Sequence, residues 1–328
     1  MPALSVERLQ KRYGARRAFD AVSFAVDPGR TFGIVGPSGA GKSSLLRAIA
    51  GLDAADSGSV RVGERDVGAL PPQERRIAMV FQHDALVPQL SVRENLAFAR
   101  RGRRDEARID DVIARLHLHG FASRRPGEIS GGERQRVSIG RALLSDPDVL
   151  LLDEPLAHLD PQLRAKVRDE VVRLRERFAG PIVYVTHDHL EAMSLCDELC
   201  VLIDGRIEQA GDPQSVYDAP RNLRVARFFG SPSMNLIRDV HATLGCGEAI
   251  VGIRPEQLHL DPAGPLSGTV ARFESAGADA YAYVATDLGE IVARVPVDAA
   301  LARESTAAFR FDRARVRRYD PITEEPIP

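Results

Sequence analysis

Nine residues, Gly36-Pro37-Ser38-Gly39-Ala40-Gly41-Lys42-Ser43-Ser44, carry the densest chemical signal in the chain. Glycines at 36, 39 and 41 let the backbone wrap closely around a ligand and turn successive N–H groups toward it. Leu45 to Ala50 then have the pattern of a helix that closes at Gly51, and a helix N-terminus adds unpaired N–H groups and the positive end of its dipole. A polyphosphate is the ligand that suits such a loop. Lys42 would reach the β and γ phosphates, and the Ser43 hydroxyl would hold magnesium. The apolar run Thr31-Phe32-Gly33-Ile34-Val35 supplies the strand in front of the loop.

Other chemistry-bearing residues sit at the ends of apolar runs. Val149-Leu150-Leu151-Leu152 has the continuous apolarity of a central parallel strand, and it ends in Asp153-Glu154-Pro155. Beside a phosphate loop, Asp153 suits the magnesium shell, and Glu154 suits polarising an attacking water. Pro181 to Thr186 forms the next buried strand, with His187 at its end beside Asp188. In open α/β sheets that carboxyl edge is where ligands bind. Gln82 follows the strand Ile77 to Phe81 in the same way. Ser130-Gly131-Gly132-Glu133 opens a helix with a capping-box pattern. Two adjacent glycines in a first turn cost helix stability, which points to bare N–H groups offered to a second anion. Tyr13, near the start, is either a half-buried strand aromatic or a platform for a purine base.

The elements that would position these residues follow from periodicity. Leu4 to Leu9 and Ala21 to Val26 alternate like strands, and Gly58 to Gly63 is a short strand bounded by turns. Ser91 to Leu118 is helical in pattern, interrupted by the basic run Arg100-Arg101-Gly102-Arg103-Arg104, which suits a solvated loop. The 328 residues suffice for two domains. A net charge of -2 gives no basic field for nucleic acid, so none is an expected partner. No stretch reaches the 18 or more apolar residues of a membrane helix, and the opening residues carry no signal-peptide core, so a cytoplasmic chain is expected. Cys196, Cys200 and Cys246 lack metal-site spacing with histidine and are expected as buried free thiols.

Together, and in this order along the chain, these motifs resemble the ATP-binding subunit of an ABC transporter. The resemblance implies an α/β P-loop NTPase with a helical subdomain at about 85–145. It makes Tyr13 the adenine-stacking aromatic and residues 36–43 the Walker A loop, with Gly36, Ser38, Gly39, Gly41, Lys42, Ser43 and Ser44 on the nucleotide. Gln82 becomes the Q-loop, serving catalysis and magnesium alongside Ser43 and Asp153. Val149 to Asp153 resemble Walker B, Glu154 the catalytic base and His187 the switch histidine. Two subunits of that family sandwich ATP head to tail, so Ser130, Gly131, Gly132, Glu133 and the D-loop residue Asp160 would act in trans. The chain departs from the commonest family pattern at Ile129, Glu133 and His158.

Gly211-Asp212-Pro213 and Ser231-Pro232-Ser233-Met234-Asn235 resemble the end of the ATPase domain in importers of the maltose and glycerol-phosphate kind. An ATP-binding domain over 1–235 and an accessory domain over 236–328 are therefore expected. Short strands at 249–253, 268–275, 281–285, 290–295 and 307–311 predict a small β-barrel of OB-like type for the second. Gly252-Ile253-Arg254-Pro255-Glu256 resembles a piece of the regulatory domain those importers carry. The implied protein is an ATPase, using ATP and Mg²⁺, that works as a homodimer on transmembrane permease subunits at the cytoplasmic face of the membrane. An extracytoplasmic binding protein would deliver a carbohydrate or glycerol-phosphate. Sulfate, molybdate, iron and polyamine importers share the motifs up to Asp188, and soluble ABC ATPases of DNA repair or translation form a rival class. The single phosphate loop and compact helical insert argue against that rival.

Overall fold

The computed structural model describes residues 3–82, 85–99, 105–157, 159, 161–239, 244–245, 248–299 and 301–327. The chain divides into two compact units, Met1–Pro213 and Gln214–Pro328. The basic run 100–104, His158, Asp160 and Cys246 lie outside the described residues. Among the described residues no helix is long and apolar enough to cross a membrane.

The first unit begins with β1 (Leu4–Tyr13), which pairs antiparallel with β2 (Arg16–Val26) and with β4 (Ser57–Val62). β5 (Arg65–Asp66) completes this sheet in the order β2-β1-β4-β5. The main sheet holds β3 (Thr31–Val35), β6 (Ile77–Val80), β7 (Val149–Asp153), β8 (Ile182–Thr186), β9 (Glu198–Ile203) and β10 (Arg206–Gly211) in the order β10-β9-β3-β8-β7-β6. β3, β7 and β8 are buried at every residue, as apolar strands covered on both faces must be. The strands β9, β3, β8, β7 and β6 run parallel, so their carboxyl ends share one edge.

The β9–β10 hairpin was not anticipated. Its turn, Asp204-Gly205, has φ of 49° and 77°, the Asp-Gly pattern that two-residue hairpins favour. The dipeptide after the apolar run Leu199 to Ile203 was the available signal.

Helix α1 (Lys42–Ala50) packs Leu45, Leu46 and Ile49 into the core under both sheets. Its C-terminus is closed twice. Gly51 is left-handed and returns its N–H to Ala48 and Arg47. Arg75, 5% exposed, donates from Nη1 to Ala48 O and Ile49 O, from Nε to Leu70 O and from Nη2 to Gly68 O. A helical layer forms from α2 (Val92–Phe98), α3 (Glu106–Arg115) and α4 (Gly131–Leu144), each starting at a side-chain cap: Ser91, Asp105 and Ser130. They bury Val92, Leu96, Ile109, Val112, Ile113, Val137 and Leu144 in a core of their own. α5 (Pro161–Arg177) and α6 (His189–Leu195) complete the unit.

In the second unit, after α7 (Pro213–Asp218) and α8 (Leu223–Phe228), the chain is β. One sheet holds β11 (Asn235–Asp239), β12 (Ala249–Ile253), β18 (Arg317–Tyr319) and β19 (Pro326–Ile327) in the order β11-β12-β18-β19. The other holds β13 (His259–Leu260), β14 (Leu266–Ala276), β15 (Asp279–Thr286), β16 (Gly289–Val295) and β17 (Thr306–Arg310) in the order β13-β17-β14-β15-β16. Ile237, Val251 and Ile253 from the first sheet share one core with Val270, Val284, Ile291 and Phe309 from the second. This bears out the small barrel, built as two open sheets around a common interior. Arg254, 1% exposed, ties β12 to the helical segment before the sheets. Its guanidinium donates to Phe229 O at 2.6 Å and from Nε to Tyr217 O at 3.1 Å, and lies 3.8 Å from the Tyr217 ring centre.

Candidate active site

The phosphate loop leaves β3 and enters α1 through Gly41, whose φ of 100° is one that residues with a Cβ avoid. Sterics demand glycine there and at 36. A Cβ on Gly41 would lie 2.2 Å from Ala18 O, and one on Gly36 would lie 2.1 Å from Leu202 O. Lys42 folds back over the loop it follows. Its ammonium donates to Gly36 O at 2.8 Å and Pro37 O at 3.1 Å, and stands 3.8 Å from Glu154 Oε1. Burial depresses the Lys42 pKa, against the opposing pull of the Glu154 and Asp153 carboxylates.

The sheet order explains why the other residues meet this loop. β8 and β7 lie beside β3, and β6 beside β7, so Thr186, Asp153 and Val80 end at the same edge. Ser43 Oγ donates to Asp153 Oδ1 at 3.1 Å. Asp153 is 5% exposed, and burial pushes its carboxyl above the usual range, partly countered by the Ser43 hydrogen bond. Next to it, Glu154 adopts φ of 45°, a left-handed conformation, while its N–H donates to Val185 O at 2.9 Å. Non-glycine residues held this way are costly and cluster at functional sites. The Glu154 side chain is where the strand ends converge: His187 Nδ1 and Gln82 Nε2 both bond Oε2, at 3.0 and 3.4 Å.

Two flanking groups belong to the same unit. The Tyr13 ring is 46% exposed, and its hydroxyl donates to Asp53 Oδ2 at 2.7 Å. Ser130 and Glu133 form the full capping box, Ser130 N–H to Glu133 Oε2 at 2.7 Å and Glu133 N–H to Ser130 Oγ at 3.4 Å. Gly131 and Gly132 fill the first two helical positions, where N–H groups have no intrahelical acceptor. Ile129, in place of leucine, is buried in the core of the helical layer. Among the described residues no hydrogen bond or ion pair joins residues 130–133 to the phosphate loop, Asp153 or Glu154.

Sequence reasoning missed the support beneath β8. The buried Glu191 carboxylate accepts from Thr186 Oγ1 at 2.8 Å and Tyr184 OH at 3.1 Å, and the Asp188 N–H donates to Thr186 Oγ1. These bonds fix the turn that presents His187. A glutamate four residues after the histidine, in a short helix of mixed character, gave no signal of its own.

The geometry agrees with comparisons to known proteins. A model of the ABC transporter family matches residues 19–157, and one of the TOBE domain matches residues 251–318. The sulfoquinovosyl glycerol transport ATP-binding protein SmoE of Agrobacterium fabrum is 38% identical, with 100% of both chains covered. The sn-glycerol-3-phosphate import ATP-binding protein UgpC of Ruegeria pomeroyi is 39% identical over 100% of this chain and 99% of its own. Among solved structures, an ATP-binding cassette of an ABC transporter in its ADP conformation is 27% identical with a TM-score of 0.62, covering 69% of this chain and 98% of that one. With such relatives aligned along its whole length, the chain belongs to the ABC transporter family, as one of its ATP-binding, ATP-hydrolysing subunits.

Proposed function

We propose that this chain drives an importer for a carbohydrate or glycerol-phosphate solute, with residues 1–235 as the ATP-binding domain and 236–328 as an accessory domain. Relatives named for sulfoquinovosyl glycerol and sn-glycerol-3-phosphate transport support the solute class. The observation that carries the mechanism is the convergence on Glu154. A carboxylate held in a left-handed turn, with His187 and Gln82 on one oxygen and Lys42 near the other, is poised to accept a proton from water at the γ-phosphate. The loop glycines and Lys42 bind the triphosphate, Ser38 and Ser44 line it, and Tyr13 stacks on the base.

The residues present fit a magnesium ion. Ser43 and Asp153 offer a hydroxyl and a carboxylate 3.1 Å apart, hard oxygen donors, and the buried Asp153 charge calls for a cation. Among the described residues no cluster of three or more His, Cys, Asp or Glu could hold a metal. This suits an ion held largely by phosphates, with Ser43, Asp153 and Gln82 as its protein contacts. Bound there, the ion would neutralise charge between the β and γ phosphates.

Two copies form the working unit in this reading. Ser130, Gly131, Gly132, Glu133 and Asp160 of one copy meet the nucleotide bound by the other. The dimer sits on permease subunits at the cytoplasmic face of the membrane, and a binding protein delivers solute from outside. Glu154→Gln tests the core of the proposal. ATP should still bind, hydrolysis should fall by about a hundred- to ten-thousand-fold, and light scattering should show dimers with ATP but not with ADP. A variant that hydrolyses at the parent rate, or stays monomeric at saturating ATP both alone and with its permease, would overturn it.

A further inference from the structure

Tyr13 ends β1, and that strand end is tied to the segment following α1 at several points. Lys11 Nζ donates to Ala54 O at 2.6 Å and to Asp56 Oδ1 at 3.4 Å. The Arg12 N–H donates to Asp56 Oδ2 at 2.7 Å, and the Asp56 N–H donates to Gln10 O at 2.9 Å. At the tip, the Tyr13 hydroxyl donates to Asp53 Oδ2 at 2.7 Å. Asp53 is in turn clamped by Arg47, from Nε to Oδ2 at 2.9 Å and from Nη2 to Oδ1 at 3.1 Å. Arg47 projects from α1, the helix that begins with Lys42 and Ser43. A continuous chain of contacts therefore runs from the Tyr13 ring to the helix that carries the phosphate loop.

We propose that Asp53 is a positioning residue for the nucleotide base: through the Tyr13 hydroxyl and Arg47 it fixes the aromatic ring at a set distance from the phosphate loop. The inference rests on the reading that Tyr13 stacks on the purine. A ring 46% exposed at a strand end, with the Lys11 ammonium 5.3 Å from its centroid, gains a further restraint on its rotamer from the Asp53 bond. Holding it in one place before binding lowers the ordering cost that nucleotide binding would otherwise carry. The bond suits this role because a carboxylate acceptor makes it charge-assisted. Arg47 keeps Asp53 ionised, its guanidinium holding the carboxyl below the usual range with help from the Tyr13 hydroxyl. Base and triphosphate are then gripped by one rigid piece.

The full-length protein tests this by titration with a fluorescent ATP analogue and by steady-state hydrolysis, with melting temperatures for every variant. Asp53→Ala should weaken ATP binding roughly three- to tenfold, with the loss in KM rather than kcat. Tyr13→Phe should show the same loss, and the double variant should be no worse than either single one. A structural role for Asp53 acting only through Arg47 would persist in the Tyr13→Phe background and would overturn the inference. So would unchanged affinity in a folded Asp53→Ala protein. Asp53→Asn, which keeps an acceptor for the phenol, should retain most of the affinity, and a loss as large as that of alanine counts against the role. Tyr13→Ala separates the two ideas. If it leaves affinity intact, the stacking reading falls and takes the inference with it. If it weakens binding while the Asp53 and Tyr13→Phe effects simply add, only the inference falls.

Discussion

Lys42 in the first unit and Arg254 in the second are both buried cations, 5% and 1% exposed, yet their surroundings differ in kind. Arg254 has fixed partners inside its own unit: the carbonyls of Tyr217 and Phe229 and the face of the Tyr217 ring. Lys42 donates to two carbonyls of the loop it serves and faces the Glu154 carboxylate at 3.8 Å, longer than a hydrogen bond. Beside it, Asp153 is buried with its charge only partly offset. A buried charge whose partners are all fixed groups of its own unit holds a fold together. A cluster of charges left short of partners is waiting for a ligand that brings its own.

If that distinction holds, Lys42→Met should cost nucleotide binding and turnover but little stability. ATP hydrolysis should fall by on the order of a thousandfold, the scale of losing one electrostatic clamp on transferring charge. Thermal unfolding of the nucleotide-free protein should move little. A hydrolysis rate within a few-fold of the parent would break the comparison at its functional end.

Arg254→Met should do the reverse. Removing the guanidinium leaves the buried Phe229 carbonyl and the half-buried Tyr217 carbonyl without their donor, at about 1–3 kcal/mol for a buried group left unpaired. The second unit should unfold at lower denaturant, while nucleotide binding by the first unit persists. Loss of nucleotide binding together with a second unit that melts normally would reverse the assignment.

The smallest change in stability sharpens the contrast most. Asp153→Asn should raise the stability of the nucleotide-free protein by about 1 kcal/mol, because it removes a buried charge and keeps the shape. It should also abolish magnesium-dependent hydrolysis. The sign follows from linkage. Burial raises the folded-state pKa of Asp153, so the stabilising protonated form is fully populated below the unfolded pKa. That contribution is lost as pH rises through the raised folded pKa. The gain from asparagine should therefore be full at neutral pH and shrink in acid. Parallel stability curves for the two proteins across that range would contradict it.

Local chemistry was enough to read the phosphate loop, since Gly36, Gly39, Gly41, Lys42 and Ser43 fall in one short stretch of chain and each serves the ligand through its own backbone or side chain. The buried strands were legible for a similar reason: runs such as Val149 to Leu152 exclude water on both faces wherever they lie. The accessory strands followed from alternation and turn residues. The Leu199 to Ile203 strand escaped because a lone apolar run does not say whether it is strand or helix, and only its Asp-Gly turn decides. Whether Asp153, Glu154, Gln82 and His187 meet is a different matter, because residues 72 and 33 positions from Glu154 reach it through strand order alone. Tertiary structure also decided that Glu154 is left-handed, that Arg75 closes α1, and that Asp53 holds Tyr13. Each depends on a partner distant in the chain, brought within about 3 Å by packing, and hydrogen bonds at that range leave no trace in local periodicity.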